Sequence, residues 1–584
     1  MSEQRPHQLT WRHLLLLFLM AASMVAVIAR LWQVQVVDHE TYVQQAARTR
    51  EGVAETTAPR GTITDSTGYP LAMSRDTWDI YLDTYLWRER DKAREAAFEL
   101  AQLLGVDAAQ TFTLGAAQSR GDVLLVRHLS YESGQAIRSK GLWGVRTLPS
   151  AQRIYPEGAL ASPLLGYTGL SGEGLWGVEL DYDRILRGRG GSVLSERDPL
   201  GRPIAFAPRV ERTAQVGGNI QLTIDRHIQR IAEQRLDEAL KDNQAPSGSV
   251  LVMNPKTGAL LAIASRPAAT SMENLLEHPK LSELVRDRPI TDLYEPGSVM
   301  KTLTTAAAID MGVITPTTTY IDTGRFDIPG TEYVIKNWDL QKYGQVTMTE
   351  YLQRSLNTGS VWISSKVGAR NFYRYIEAFG LNEPTHVGLG ETESIIRTPD
   401  HDDWYPVDLA TNSYGQGLAV TPLQVLTAVS SLANGGVLMR PYVVSRVVSD
   451  DDVRTYEPVP VRRVISEESA RTVMRMMYEV VEGNVEGIPP HGARVPGYSI
   501  AGKTGTTLVS IPTGYDLDTT IASFVGFAPY ENPQVAILVK IDQPGGGRNL
   551  GGEVAAPAFA KMTRDIMQYL QIPPTRQIAQ VAAR

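Results

Sequence analysis

The residues with the most chemical potential are Ser298-Val299-Met300-Lys301, which follow Glu295-Pro296-Gly297 and set a hydroxyl and an amine one helical turn apart. Pro296 and Gly297 close the preceding chain, Ser298 occupies the cap, and residues 302–311 continue the predicted helix to Gly312. Positions three apart share a helix face. A serine is inert at its own pKa, but apolar neighbours that desolvate Lys301 would let the amine take its proton. The positive end of the helix would favour the alkoxide formed. Taken alone, the pair also fits an ordinary N-cap serine.

Two further groups change that balance. Ser355-Leu356-Asn357 and Lys503-Thr504-Gly505-Thr506 follow in that order. Around the latter, Tyr498, Ile500 and Gly502 alternate with Ser499, Ala501 and Lys503 as in an edge strand, and Gly505 lets a backbone come close. In content and order the three motifs resemble the penicillin-recognising serine acyltransferases. That resemblance implies that Ser298 attacks a D-Ala-D-Ala stem peptide, Lys301 is its base, Ser355 relays a proton to the leaving group and Asn357 binds the substrate amide. It assigns Lys503 and Thr504 to the terminal carboxylate, with Gly505 between them and Thr506. The backbone amides of Ser298 and Thr506 would form the oxyanion hole. No cofactor is implied.

Competing readings are present in the same residues. Gly497 to Thr504 fits the phosphate-loop formula, and the apolar run Val535–Val539 near Asp542 imitates the partner strand of an ATPase. A phosphate loop needs a helix at its Lys-Thr pair, however, and Gly505, Thr506, Thr507, Val509 and Pro512 favour a strand. There is no Gly-x-Ser-x-Gly, and none of the 9 histidines falls beside a plausible nucleophile. His401-Asp402-Asp403 lacks a helical companion histidine and reads as a solvated loop. With 0 cysteines, disulfides and zinc-thiolate sites are excluded.

The first element that must hold this chemistry in place is apolar. Residues 14–37 are read as an uncleaved transmembrane anchor, and Trp11 and Trp32 are separated by about 31 Å of helix, close to a bilayer's hydrocarbon thickness. Arg5 and Arg12 precede the segment and Asp38 and Glu40 follow it. The positive-inside rule therefore keeps residues 1–13 in the cytoplasm and everything later outside, and the resemblance implies that the membrane is a bacterial cytoplasmic one. A cleaved signal is the rival, but no small-x-small site closes the apolar core. The net charge of −7 and pI near 5.8 offer no basic surface for nucleic acid.

Two extracytoplasmic domains follow, in an α/β (α+β) arrangement. Residues 38–215 begin with a strand-turn-strand signal at 60–68 and include an amphipathic helix over 87–104 that packs an Ala, Phe and Leu face. Arg60-Gly61 and the stretch from Arg153-Ile154-Tyr155-Pro156 to Gly169 resemble the pedestal of class B, single-activity penicillin-binding proteins. In residues 216–572, strands at 249–253, 259–264, 522–527 and 535–541 would form one antiparallel sheet, with a helical middle covering it. Residues 573–584 read as a frayed tail.

Class B also implies that a membrane-embedded glycosyltransferase supplies the glycan, since no such domain fits before residue 218, and that β-lactams acylate the serine. Tyr294-Glu295-Pro296-Gly297-Ser298 looks more like the division-associated enzymes than the elongation-associated ones. Partners are then stem peptides, β-lactams, membrane lipid and other division or elongation complex proteins. The alternatives are a membrane-bound sensor or scaffold that keeps the acylation site, and an enzyme that uses water as acceptor.

Overall fold

In the computed structural model the described residues are 11–43, 51–56, 58–117, 121–196, 209–271, 275, 278–449, 452–488, 491–511 and 514–576. The positions 1–10 of the expected cytoplasmic tail and 577–584 of the expected frayed tail lie outside them. One helix, Trp11–Val37, is long and apolar enough to cross a membrane, and its last turn, Gln33–Val37, is π-helical. The side chain of Arg30 turns to Gln33 Oε1 at 2.9 Å. The chain divides into two compact units, one of Met1–Pro59, Arg75–Gln152 and Gly188–Val216, the other of Arg60–Ser74, Arg153–Arg187 and Gly217–Arg584.

In the first unit, strand Gly191–Glu196 lies between Glu51–Thr56 and Arg209–Arg212, antiparallel to both. A separate core gathers Trp78, Ile80 and Leu82 with Trp87 and the helix Arg90–Leu104. That helix buries Ala93, Ala96, Ala97 and Leu100, whereas Phe98, expected on the packed face, is 57% exposed. Ala93, Ala97 and Leu100 recur at i, i+4 and i+7 and define the buried stripe, and Phe98 projects from the other side of the helix.

The second unit begins with the turn read at 60–68: Asp65 Oδ1 accepts from the amides of Thr67 and Tyr69 and from the Thr67 hydroxyl. Residues 60–74 and 153–187 precede the helical and sheet framework in sequence but pack within this unit. Buried Glu179 ties them together, accepting from Arg60 at 2.5 Å and Arg153 at 2.7 Å, while Arg60 also reaches Asp183 at 2.5 Å.

The framework consists of α1 (Arg226–Asp242), β1 (Ser247–Met253), β2 (Leu260–Arg266), α2 (Met300–Asp310), α3 (Met348–Arg354), α4 (Asn357–Val367), α5 (Pro422–Ala433), α6 (Glu467–Glu482), β3 (Ala501–Ile511), β4 (Gly514–Ala528), β5 (Val535–Asp542) and α7 (Gly551–Tyr569). The strands make one antiparallel sheet in the order β2-β1-β5-β4-β3. Because side chains alternate along a strand, each can bury both faces. Val250 and Val252 join a core with α1 and α7, and Leu251 and Met253 join a second core with α2 and α5. The helical middle thus covers one face, and α1 and α7, the first and last helices of the framework, cover the other. Asp225 caps α1 through the amides of His227 and Ile228.

Two local readings change. The strand at the sheet edge starts at Ala501, so Tyr498, Ser499 and Ile500 precede it, and all six residues from Tyr498 to Lys503 are buried. Their alternation does not separate a wet face from a dry one. The expected fraying from Pro573 does not hold through Arg576, which bonds Glu482 and Tyr478 through its guanidinium and the Gly497 carbonyl through its amide.

Candidate active site

Ser298 lies in a single 3-10 turn, Gly297–Val299, that runs directly into α2. It is half-buried and is not the N-cap of the α-helix, a position that falls to Val299 without a side-chain bond. Gly297 adopts φ +55, which lets the turn tighten before the serine. One turn later Lys301 is completely buried. Its Nζ donates to the Ser355 carbonyl at 2.6 Å and to Asn357 Oδ1 at 2.9 Å, and lies 3.2 Å from Ser355 Oγ.

Ser355 sits at the junction of α3 and α4 in the left-handed region, φ 57 and ψ 46. Such a conformation is uncommon for a residue with a Cβ and is held only when its surroundings demand it. Here the demand comes from Lys301, and from Lys503 Nζ, which reaches the same hydroxyl at 3.0 Å. Lys503 also donates to Thr504 Oγ1 at 3.1 Å. Asn357, the first residue of α4, donates to the Lys336 carbonyl at 3.0 Å while accepting from Lys301.

The edge strand β3 brings the remaining residues to the serine turn. A Cβ on Gly505 would lie 2.7 Å from the Pro296 carbonyl, and one on Gly297 would lie 2.8 Å from the Thr506 carbonyl. Only glycines permit this approach. Thr506 Oγ1 accepts from the Gly551 amide at 3.0 Å, which fastens the strand to the start of α7. All eight residues singled out in the sequence therefore lie in one place. The same strand answers the phosphate-loop reading, since Lys503 and Thr504 are extended and no helix starts there.

The electrostatics of the two lysines are unusual. Burial pushes the Lys301 amine well below its ordinary range, and the charge of Lys503 adds to that, opposed by the more distant Asp339. Burial alone brings Lys503 down to about 7. Among the described residues neither nitrogen is paired with a carboxylate. An amine that is easily neutral beside a serine turn can accept a proton, and a buried ammonium with no counter-ion can receive an anion.

Sequence reasoning missed two supporting groups. Asp322, buried beneath the Asn357 segment, accepts from Asn337 Nδ2 at 3.0 Å, Thr358 Oγ1 at 2.7 Å and the Tyr343 amide at 2.9 Å. It fixes the loop whose Lys336 carbonyl holds Asn357. Glu295, three places before the serine, accepts from the Gly417 amide at 3.0 Å, the Tyr515 hydroxyl at 2.8 Å and the Thr507 hydroxyl at 3.3 Å. Their partners are distant in sequence; the only nearby signals were the Glu295-Pro296-Gly297 run and the Gly415-Gln416-Gly417 turn.

Residues 248–567 match the penicillin binding protein transpeptidase domain, and residues 55–222 match the penicillin-binding protein dimerisation domain. The chain is 30% identical to the peptidoglycan D,D-transpeptidase FtsI of Escherichia coli K12, over 98% of this chain and 94% of that protein. It is 31% identical to the stage V sporulation protein D of Bacillus subtilis, over 88% of this chain and 79% of the relative. Penicillin binding protein 3 of Mycobacterium tuberculosis, solved with aztreonam, superimposes with a TM-score of 0.69 at 25% identity, covering 90% of this chain and 99% of that one. The match to both domain models, joined to Lys301 of the serine turn's helix and Lys503 of the Lys-Thr-Gly edge strand meeting at the Ser355 hydroxyl, means that the chain belongs to the class B penicillin-binding proteins.

Proposed function

We propose that the chain is a membrane-anchored peptidoglycan D,D-transpeptidase of cell-wall synthesis, with Ser298 as its nucleophile. The observation that carries the reading is the meeting of Lys301 and Lys503 at the Ser355 hydroxyl, two buried amines without a carboxylate partner among the described residues. In the acylation half-reaction Ser298 Oγ attacks the carbonyl of the penultimate D-alanine and its proton passes to neutral Lys301. The proton then moves through the Ser355 hydroxyl to the departing D-alanine nitrogen. An ester bond forms and the amide C–N bond breaks. In the second half an acceptor amine attacks the ester carbonyl and gives a proton to Lys301, which returns one to Ser298 as it leaves.

Asn357 would bind the amide of the donor peptide, and Lys503 with Thr504 its terminal carboxylate, beside Gly505. The backbone amides of Ser298 and Thr506 would hold the oxyanion, and a donor of this kind is typically worth about 3 kcal/mol of barrier. The relatives named as transpeptidases support the reaction class, and the aztreonam complex of a similar solved structure supports β-lactam binding. The N-terminal helix would anchor the chain by a single pass in the cytoplasmic membrane, with the catalytic domain outside. Residues 38–215 would act as a non-catalytic pedestal and 216–572 as the catalytic domain, served by a membrane-embedded glycosyltransferase in a division complex.

The test is intact-mass spectrometry of the full-length protein in detergent after incubation with a penicillin, beside Ser298→Ala and Lys301→Ala. An adduct on the wild type that is lost in both variants is expected. An adduct that persists in Ser298→Ala would refute the nucleophile assignment. Cross-linked product formed from a stem-peptide donor and an amine acceptor by the purified protein would remove the reading as a mere sensor.

A further inference from the structure

The carboxylate of Glu295 stands where both arms of the proposed oxyanion hole begin. Along the chain it precedes Pro296, Gly297 and Ser298, and in space it accepts from Thr507, the residue after Thr506. Its other oxygen collects the Gly417 amide at 3.0 Å and the Tyr515 hydroxyl at 2.8 Å from β4. Every one of these donors is neutral, and among the described residues Glu295 joins no ion pair, unlike Glu179. Burial raises its pKa, so the site holds the carboxylate at a cost that a purely structural apolar residue would avoid.

The backbones around it have no slack. Tyr294 pairs with Val420 through both amides, at 3.0 and 3.1 Å, and the Gly297 amide bonds the Gly415 carbonyl at 3.0 Å. A Cβ on Gly415 would lie 2.1 Å from the Gly297 carbonyl. The Gly-rich turn, the serine turn and the β3–β4 hairpin are thus in contact, and the carboxylate on the chain that enters the serine turn bonds the other two.

We infer that Glu295 is a positioning residue that sets the separation of the Ser298 and Thr506 amides by clamping the serine turn to the β3–β4 hairpin and to the 415–417 turn. The inference rests on the acylation reading above. Stabilisation of a developing oxyanion depends on where its donors stand in the transition state, not on ground-state contacts. Loss of the clamp should therefore slow the acylation step while leaving the preceding complex nearly as tight. A residue that merely supports the fold would weaken both together.

The experiment is stopped-flow acylation by a chromogenic penicillin over a concentration series, which separates the non-covalent Kd from the rate constant of acylation. Glu295→Ala should lower the rate constant by about 10²-fold, the effect of disturbing one oxyanion donor, and change Kd by less than about threefold. Glu295→Gln, which keeps an acceptor for Gly417 and Tyr515, should recover most of that loss. Should Glu295→Ala fail to fold, the Thr507→Val, Tyr515→Phe double variant removes two of the three bonds from the other side and should slow acylation by about tenfold. A rate constant within threefold of wild type, or a loss of affinity as large as the loss of rate, overturns the clamp. If the wild type itself is not acylated at Ser298, the function proposed above falls first and the clamp with it.

Discussion

Two groups of buried charge lie within the same compact unit and have opposite designs. Around Glu179, Arg60 and Arg153 face Glu179 and Asp183, so that two guanidiniums meet two carboxylates, with Arg60 further donating to the Gly172 and Glu179 carbonyls and Arg153 to Gly61. Around Ser355, Lys301 and Lys503 face hydroxyls, an amide and carbonyls. The first group is balanced and holds three chain segments together. The second is unbalanced, and its amines are left ready to change protonation state. Burial of charge does not by itself mark chemistry; the missing counter-charge does.

The sharpest way to break this contrast is to remove one charge from each group. Lys301→Met should abolish acylation, by at least about 10⁴-fold, because a triad-like unit fails when one member is lost. It should leave the melting temperature unchanged or raised, since an amine that burial disfavours has been replaced by an apolar chain of similar length. Glu179→Gln should do the reverse. Leaving two buried guanidiniums short of a counter-charge typically costs about 3–5 kcal/mol, while the molecules that remain folded should be acylated at the wild-type rate. Thermal unfolding and acylation kinetics on the same preparations check both. A Lys301→Met protein that melts several degrees lower would show that the lysine was structural.

The Asp322 group falls between these extremes, as a neutral network around one carboxylate. Asp322→Asn puts an NH₂ where the Asn337, Thr358 and Tyr343 donors point, and an unsatisfied buried donor costs about 1–3 kcal/mol. Because the same loop presents the Lys336 carbonyl to Asn357, acylation should slow as well, by about tenfold. If stability falls and the rate constant does not, the loop is a scaffold that Asn357 can do without.

The reactive group was legible in the sequence because its members come in short, ordered motifs whose local conformations are simple. Ser298-x-x-Lys301 needed only a helical turn, and Lys503 to Thr506 only a strand. Where reading failed, tertiary packing decided. Ser298 looks like a cap, yet Gly297 closes a 3-10 turn against Gly415 and moves the cap to Val299. Phe98 is apolar, yet it lies across the helix from the stripe that Ala93, Ala97 and Leu100 bury. Asp322 and Glu295 were invisible because their partners come from distant positions, Thr358 for one and Thr507 and Tyr515 for the other. The Arg60 and Arg153 landmarks were legible as scaffold residues, but the carboxylates that neutralise them were not.

The smallest expected effect concerns the pH dependence that an unpaired lysine must impose. In the folded chain Lys503 titrates at about 7, against 10.5 for an unperturbed lysine. Between those values the unfolded chain binds a proton that the folded chain does not, so the contribution of Lys503 to stability rises with pH across the window. Below about pH 7 both states are protonated and the burial penalty is felt in full. Lys503→Met removes the group, and its advantage over wild type should be greatest near pH 6, on the order of 1–3 kcal/mol, and should shrink steadily towards pH 10. The difference between the two stability curves reports Lys503 together with Lys301 and His491, whose protonation the Lys503 charge disfavours. Addition of a carboxylate ligand should raise the Lys503 pKa and carry the wild-type curve towards that of a paired lysine. Parallel curves for wild type and Lys503→Met would mean that Lys503 has a counter-charge in solution, and the contrast with the Glu179 group would then disappear.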